Sequence, residues 1–258
     1  MKQFILKEAP DAEGLVRLRG EDYHYLARVR RLRRGSRFEA LLPDGERAEL
    51  TVVSATNGVL TGQCRIISEQ HSNSAEEPFS IILFQGLPRF SKMDLIVRQA
   101  AESGIKTIVP FISEYSSVKK SGMNEKTERW KKIIKEARQQ SGSGIQTEIE
   151  ETTALDSVFD YWNKLRAEEP RTKGIFFHQK TLAEGSFHEY LYSNPRLVVL
   201  AVGPEGGFSP DEADRFTAEG FSPLVIGNTI LRSETAALYG AAAIRIILLE
   251  SSLWTLKN

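Results

Sequence analysis

Two short segments late in the chain carry the residue types best suited to chemistry. The first is Val202-Gly203-Pro204-Glu205-Gly206-Gly207-Phe208-Ser209. Three glycines and a proline in five positions describe a tight loop whose backbone comes close to something else. The loop directly follows the apolar run Leu197–Val202. It therefore sits past the carboxyl end of a buried strand, where ligands bind in open α/β sheets. No Gly-Lys-Ser/Thr follows, and the spacing is not Gly-x-Gly-x-x-Gly, so the two common phosphate-binding loops are excluded. Alone, the segment fits a ligand loop and a structural strand-to-helix turn equally, with Ser209 capping a helix from Pro210 or Asp211.

The second segment is Ile226-Gly227-Asn228-Thr229-Ile230-Leu231-Arg232-Ser233-Glu234-Thr235-Ala236-Ala237. Gly-Asn ends a short strand, and Ser233 reads as the N-cap of a helix. A helix N-terminus offers free N–H donors and the positive end of a dipole. Arg232 and Glu234 flank that boundary. By itself this reads first as an ordinary capped helix with a solvated charge pair.

Charge adds a third candidate. Lys+Arg and Asp+Glu each number 34, so the formal net charge is zero, which taken alone argues against a nucleic-acid binder. The distribution is uneven. Between positions 17 and 37 stand eight arginines (17, 19, 28, 30, 31, 33, 34, 37) against Glu21 and Asp22. Such a cluster makes a local phosphate-binding face on a neutral protein. On a helix, Arg30, Arg33 and Arg34 would share one face, and Arg28 and Arg31 another. Tyr23 and Tyr25 could stack on bases or pack in the core.

No metal is expected. The four histidines (24, 71, 178, 188) lack ligand spacing. His178 ends an apolar strand and reads as a core or pocket-wall residue. Cys64 is the single cysteine, so no internal disulfide forms, which fits a reducing cytoplasm.

The elements that must position these residues follow from pattern. With 258 residues, 41% hydrophobic and 26% charged, the chain has material for one large domain or two smaller ones. Met1–Pro10 lacks the apolar run of a signal peptide. The longest apolar runs are strand-length, far short of a membrane span. A soluble cytoplasmic protein is expected.

Residues 1–70 read as a β meander. Arg37–Leu42 alternates and ends in the turn Pro43-Asp44-Gly45. Glu46–Ser54 places Ala48, Leu50 and Val52 on one face. Asn57-Gly58 is a hairpin signal, and Val59–Ile67 follows it. A helix is expected over Asp22–Leu32. Short strands with tight turns suggest a small barrel. The polar stretch around 71–78 reads as a linker.

From 79 to 258 the rhythm changes. Strands are expected at Phe79–Gln85, Thr107–Ile112, Gly174–His178, Leu197–Val202 and Pro223–Ile226. Helices are expected at Ser91–Ser103, Glu125–Ser141, Asp211–Glu219 and Glu234–Ser251. This alternation predicts a parallel α/β sheet covered on both faces.

Read together, the segments closely resemble the 16S ribosomal RNA (uracil-N3)-methyltransferase family, RsmE type, of the SPOUT superfamily. The resemblance rests on GPEGGFSPDE (Gly203–Glu212) and IGNTILRSETAA (Ile226–Ala237). It extends to Lys92-Met93-Asp94, to Glu102-Ser103-Gly104-Ile105 and to Trp130 with Lys135-Glu136-Ala137. It implies a PUA-like RNA-binding β-barrel followed by a knotted parallel-sheet methyltransferase domain acting as a homodimer. It implies S-adenosylmethionine as cofactor and N3 of one uridine in small-subunit ribosomal RNA as target.

Under that resemblance, Leu200, Val202, Gly203, Pro204, Glu205, Gly206 and Gly207 are assigned to the cofactor. So are Ile226, Gly227, Leu231, Ser233, Thr235 and Ala236. Arg232 becomes the cation that stabilises negative charge on the uracil carbonyl oxygens, because a guanidinium stays charged and offers several donors. Glu234 or Glu205 would accept a proton or hold that arginine; the sequence does not rank them. Arg28, Arg30, Arg31, Arg33 and Arg34 become RNA contacts.

Three basic positions of the resembled family are replaced here, by Gln99, Tyr115 and Ser143, and Thr147 stands at a proline. These departures bear on the RNA target rather than on the cofactor. Lys119, Lys120, Lys131 and Lys132 are candidates to compensate. The rival readings are a methyltransferase of this fold with another RNA target, and a non-catalytic ribosome-assembly protein that binds RNA.

Overall fold

The structure is a computed structural model describing residues 4–67, 78–117, 123–178, 185–225, 227 and 229–250. The expected linker lies outside these except for Pro78, and so do Ile226, Lys119 and Lys120. The chain divides into two compact units, Met1–Glu77 with Arg138–Gln146, and Pro78–Ala137 with Thr147–Asn258.

The first unit contains β1 (Phe4–Ile5), β2 (Leu15–Arg19), α1 (Gly20–Tyr23), a π-helical segment (His24–Val29), β3 (Arg37–Leu41), β4 (Arg47–Thr56) and β5 (Val59–Ile66). They form a half-barrel sheet in the order β1-β3-β4-β5-β2, parallel only at β1–β3. Ala48, Leu50 and Val52 turn inward against Phe38, Leu18, Leu26 and Leu60. The Asn57-Gly58 turn has φ of 51° and 75°, so both central residues are left-handed, the geometry that matches strand twist in a two-residue hairpin. Tyr23 and Tyr25 pack against this core, with Tyr25 stacked on Phe4.

The expected helix over Asp22–Leu32 needs correction. After one α-turn the backbone widens, and Arg30 N–H reaches Tyr25 O at 2.8 Å. The helical segment ends at Val29, and Arg31 takes a φ of +56°. Leu32 N–H closes back on Leu26 O at 3.0 Å, which keeps Leu26 in the core while the chain leaves the helix. The shared helical faces expected among the arginines are therefore absent.

The second unit runs β6 (Ser80–Gly86), α2 (Phe90–Glu102), β7 (Thr107–Ile112), α3 (Met123–Ser141), β8 (Glu148–Ile149), β9 (Thr153–Ala154), α4 (Leu155–Glu168), β10 (Thr172–Phe177), α5 (Phe187–Leu191), β11 (Leu197–Val202), α6 (Pro210–Ala218), β12 (Ser222–Leu224) and α7 (Ser233–Leu249). The strand order is β12-β10-β11-β6-β7-β8, with β9 also on β7, and every pairing is parallel. Alternation assigns the two faces. Ile81, Leu83, Val198, Leu200 and Val202 meet α2, α3 and α7. Ile82, Phe84, Val199 and Ala201 meet α4 and α6. Burying each such side chain stabilises by roughly 1.5–3 kcal/mol, which fixes the sheet on which the loops stand. α7 lies so close to the sheet that a Cβ at Gly240 would fall 2.7 Å from Leu200 Cδ2.

Candidate active site

Strand β11 is buried at all six residues and runs directly into Gly203. The loop then folds on itself, and a Cβ at Gly203 would lie 2.7 Å from the Gly207 carbonyl carbon. Gly207 holds φ at +72° and its N–H closes the turn on Pro204 O at 3.0 Å. Ser209 caps α6 in a full capping box: its hydroxyl accepts from Glu212 N, and Glu212 carboxylate accepts from Ser209 N. The Glu212 carboxylate, 6% exposed, also accepts from Ser113 Oγ at 3.0 Å and Glu114 N at 2.9 Å.

The second segment meets this loop through a residue outside both motifs. Gln85, near the end of β6, is completely buried. Its Nε2 lies 2.8 Å from Gly86 O, 3.3 Å from Val202 O, 3.4 Å from Gly203 O and 3.0 Å from Ser233 Oγ. Ser233 Oγ donates in turn to Gly203 O at 2.6 Å. Carbonyls at a buried strand end need donors, and an unmet one costs about 1–3 kcal/mol. Gln85 and Ser233 meet that need and so join the ends of β6 and β11 to the start of α7. Ser233 is consequently not the N-cap. Arg232 holds the cap position without a side-chain hydrogen bond, and the serine hydroxyl turns to Gly203 instead.

Between the two segments lies a cavity of about 760 Å³. That is within the roughly 300–1,000 Å³ typical of small-molecule sites. Its walls include Val202, Gly203, Pro204, Glu205, Gly206 and Gly207 from the loop, and Gly227, Leu231, Ser233 and Ala236 from the second segment. Phe177, His178, Phe208, Asp214 and Thr229 also line it. Leu200 is buried beneath α7 and Thr235 is exposed on it; neither lines the cavity. Arg232 is exposed beside it rather than within it.

A charged strut braces one side. Lys92, in the first turn of α2, lies 3.5 Å from Glu205 and 3.7 Å from Glu234. Arg89 N–H adds a hydrogen bond to Glu205 at 3.1 Å. Burial pushes the Glu205 carboxyl up, but N–H donors from its own backbone and Arg89, with Lys92, outweigh that and hold it below its ordinary value. Glu234 Oε2 is buried and accepts no hydrogen bond. The pairing seen is thus Glu234 with Lys92, not Glu234 with Arg232.

The candidate RNA contacts behave differently. Arg28, Arg31, Arg33 and Arg34 are exposed and pair with no carboxylate among the described residues. Arg30 is half-buried, with its guanidinium over the Phe38 ring at 5.8 Å. Among the described residues no group of three or more His, Cys, Asp or Glu could hold a metal ion. No described helix is long and apolar enough to cross a membrane.

Comparison with known families decides the affiliation. Residues 75–245 match the RNA methyltransferase domain, and residues 18–62 the RNA methyltransferase PUA domain. The Aquifex aeolicus ribosomal RNA small subunit methyltransferase E is 32% identical over 87% of this chain and 90% of its own length. The chain belongs to the ribosomal RNA small subunit methyltransferase E family. The Bacillus subtilis member is 28% identical over 93% of this chain and 91% of its own. Among solved structures, the Neisseria gonorrhoeae family member bound to S-adenosyl methionine superposes with a TM-score of 0.78. It is 23% identical, with 96% of this chain and 98% of that one covered, and it shows the shared fold.

The sequence signals for the family sit where the geometry is tightest. Gln85 and Asp214 carry no such signal, because each is one polar residue in an ordinary strand or helix pattern. Lys92 has one only as part of the Lys92-Met93-Asp94 resemblance.

Proposed function

We propose that this chain transfers a methyl group from S-adenosylmethionine to N3 of a uridine in small-subunit ribosomal RNA. The observation that carries the reading is the joining of the two signature segments by Gln85 and Ser233 around one cavity. The backbone of this loop, packed too closely for side chains at Gly203 and Gly206, suits the adenosine and methionine portions of that cofactor, with Gly227, Leu231 and Ala236 also lining the cavity. When bound, the cofactor supplies an electrophilic methyl group. The chain's own residues then have three tasks.

The first is positioning, which can supply much of the rate for a two-reactant step. The second is charge. Uracil N3 must lose its imide proton, which spreads negative charge onto the flanking carbonyl oxygens. Arg232, exposed at the start of α7, is free to meet those oxygens from the RNA side. The third is the proton. Glu205 is engaged by the Arg89 amide and Lys92 and serves as a strut. Glu234, whose Oε2 makes no hydrogen bond and lies 3.7 Å from Lys92 Nζ, is the candidate to accept the proton.

The exposed arginines 28, 31, 33 and 34, with Arg30 beside them, would bind RNA phosphates. The unit over roughly 1–70 would be the RNA-binding domain and 79–258 the catalytic one. Leu238, Tyr239 and Ile246 project from α7 at 37%, 52% and 43% exposure, which supports pairing of two copies as a homodimer.

Calorimetric titration with S-adenosylmethionine, followed by mass mapping of ribosomal RNA from a deletion strain, tests the reading. Binding plus one unmethylated uridine is expected. No binding would favour the non-catalytic rival, and an unchanged uridine would move the target elsewhere.

A further inference from the structure

The β7–α3 connection presents an aromatic side chain that the mechanism above does not use. Tyr115 is 45% exposed. Its base rests on the cofactor loop, since a Cβ at Gly206 would stand 2.9 Å from Tyr115 Cβ and 3.2 Å from its Cγ. Gly206 lines the cavity and Tyr115 does not, so the ring covers the outer side of that wall.

The ring's anchorage is firm. Ser113 N–H donates to Ser116 Oγ at 3.1 Å and Ser116 N–H to Ser113 O at 3.0 Å, closing a tight turn around Tyr115. The buried Glu212 carboxylate holds Ser113 and Glu114 on one side and Ser209 on the other. One residue of α6 thus fixes both the tyrosine turn and the end of the glycine loop. The same two segments also meet where Phe111 stacks on Phe208 at 6.3 Å and 9°. The apolar core is complete without Tyr115, which is absent from its clusters. A rigidly based, half-exposed ring beside a nucleotide-processing cavity matches the stacking surfaces that take unpaired bases, because every base has a π-face.

We propose that Tyr115 is a stacking platform for a base of the RNA next to the uridine being methylated. This rests on the RNA reading given above. The ring contributes stacking area and no charge, so it acts on RNA affinity without adding to the salt dependence.

The test measures affinity of the full-length protein for protein-free small-subunit ribosomal RNA from a strain lacking the modification. Wild type, Tyr115→Ala and Tyr115→Phe are compared over a salt series, beside calorimetry with S-adenosylmethionine. Loss of one stacked base predicts about tenfold weaker RNA binding for Tyr115→Ala. The salt slope should stay unchanged, since every phosphate partner is kept. Tyr115→Phe should bind RNA as wild type does, and neither variant should alter cofactor affinity. Wild-type RNA affinity in Tyr115→Ala would overturn the proposal. So would a cofactor-affinity loss equal to the RNA loss, which would make Tyr115 a cover for Gly206. If wild type binds RNA but transfers no methyl group, the methyltransferase reading falls while the stacking claim is still judged by the same affinities.

Discussion

The Gly203–Gly207 loop and the Arg28–Arg34 stretch are both conspicuous in the sequence, and they are built in opposite ways. The loop is held from every side by Gln85, Ser233, Arg89, Lys92 and Glu212. The arginines stand at and beyond a π-helical turn, exposed except for the half-buried Arg30, which rests on an aromatic ring. A small cofactor is recognised by fixed backbone geometry, whose entropy cost has been met in folding. A large polyanion needs charge density, and phosphate recognition tolerates movement. The contrast predicts that substitutions near the loop act on cofactor or chemistry, while those among the arginines act on RNA and salt.

Arg232 tests the contrast most severely, because it stands next to the cavity yet faces outward. Arg232→Ala should lower kcat by about 10²–10³-fold, as loss of one charge-stabilising donor does. Cofactor affinity should remain, and a variant with full turnover would remove Arg232 from the mechanism. Next is Gln85→Leu, which keeps volume but takes both N–H donors from the carbonyls of Val202 and Gly203. With about 1–3 kcal/mol at stake per unmet group, cofactor affinity should fall roughly tenfold or more. RNA affinity at fixed salt should not change, and equal losses in both would break the division between the regions.

The third is the triple substitution of Arg31, Arg33 and Arg34 by Ala. Each phosphate ion pair removed should flatten the log–log salt dependence by about 0.7 on single-stranded RNA. Calorimetry with S-adenosylmethionine should show no difference. The smallest effect concerns Glu205. Its folded-state pKa is depressed, so its contribution to stability is present above the ordinary glutamate value and is lost as pH falls through the folded value. Thermal melts of wild type and Glu205→Gln, followed from about pH 7 to well below the ordinary glutamate range, should converge only at the acid end. Parallel curves throughout would show that the strut does not titrate.

What is legible in the sequence is local. The strand before Gly203, the Ser209 cap and the Asn57-Gly58 hairpin are decided by neighbours within a few residues. So are the two faces of the parallel sheet, through period-two alternation. Helix α4 has a local signal too, with Leu155, Val158, Phe159 and Trp162 at helical spacing, although the pattern reading above does not include it. The same holds for the Ser186–Glu189 capping box that opens α5. The π-helical turn is not legible, because nothing local forces Arg30 N–H to choose Tyr25 O over an α-helical partner. Nor is the role of Ser233. A serine before an apolar helix reads as a cap, and only the buried Gly203 carbonyl, brought near by the fold, turns its hydroxyl elsewhere. Gln85 belongs to the same class, since its partners Val202 and Ser233 lie far along the chain.

That distance has a consequence in time. Gln85 and Ser233 are 148 positions apart. At the usual rate of about 5–20 residues per second, a ribosome that has just made Gln85 needs roughly 7–30 seconds to reach Ser233. Through that interval β6 exists without the neighbour that satisfies its last side chain, and the pocket has no second wall. The pocket therefore closes late relative to the strand that braces it, only once the segment carrying Ser233 has been made.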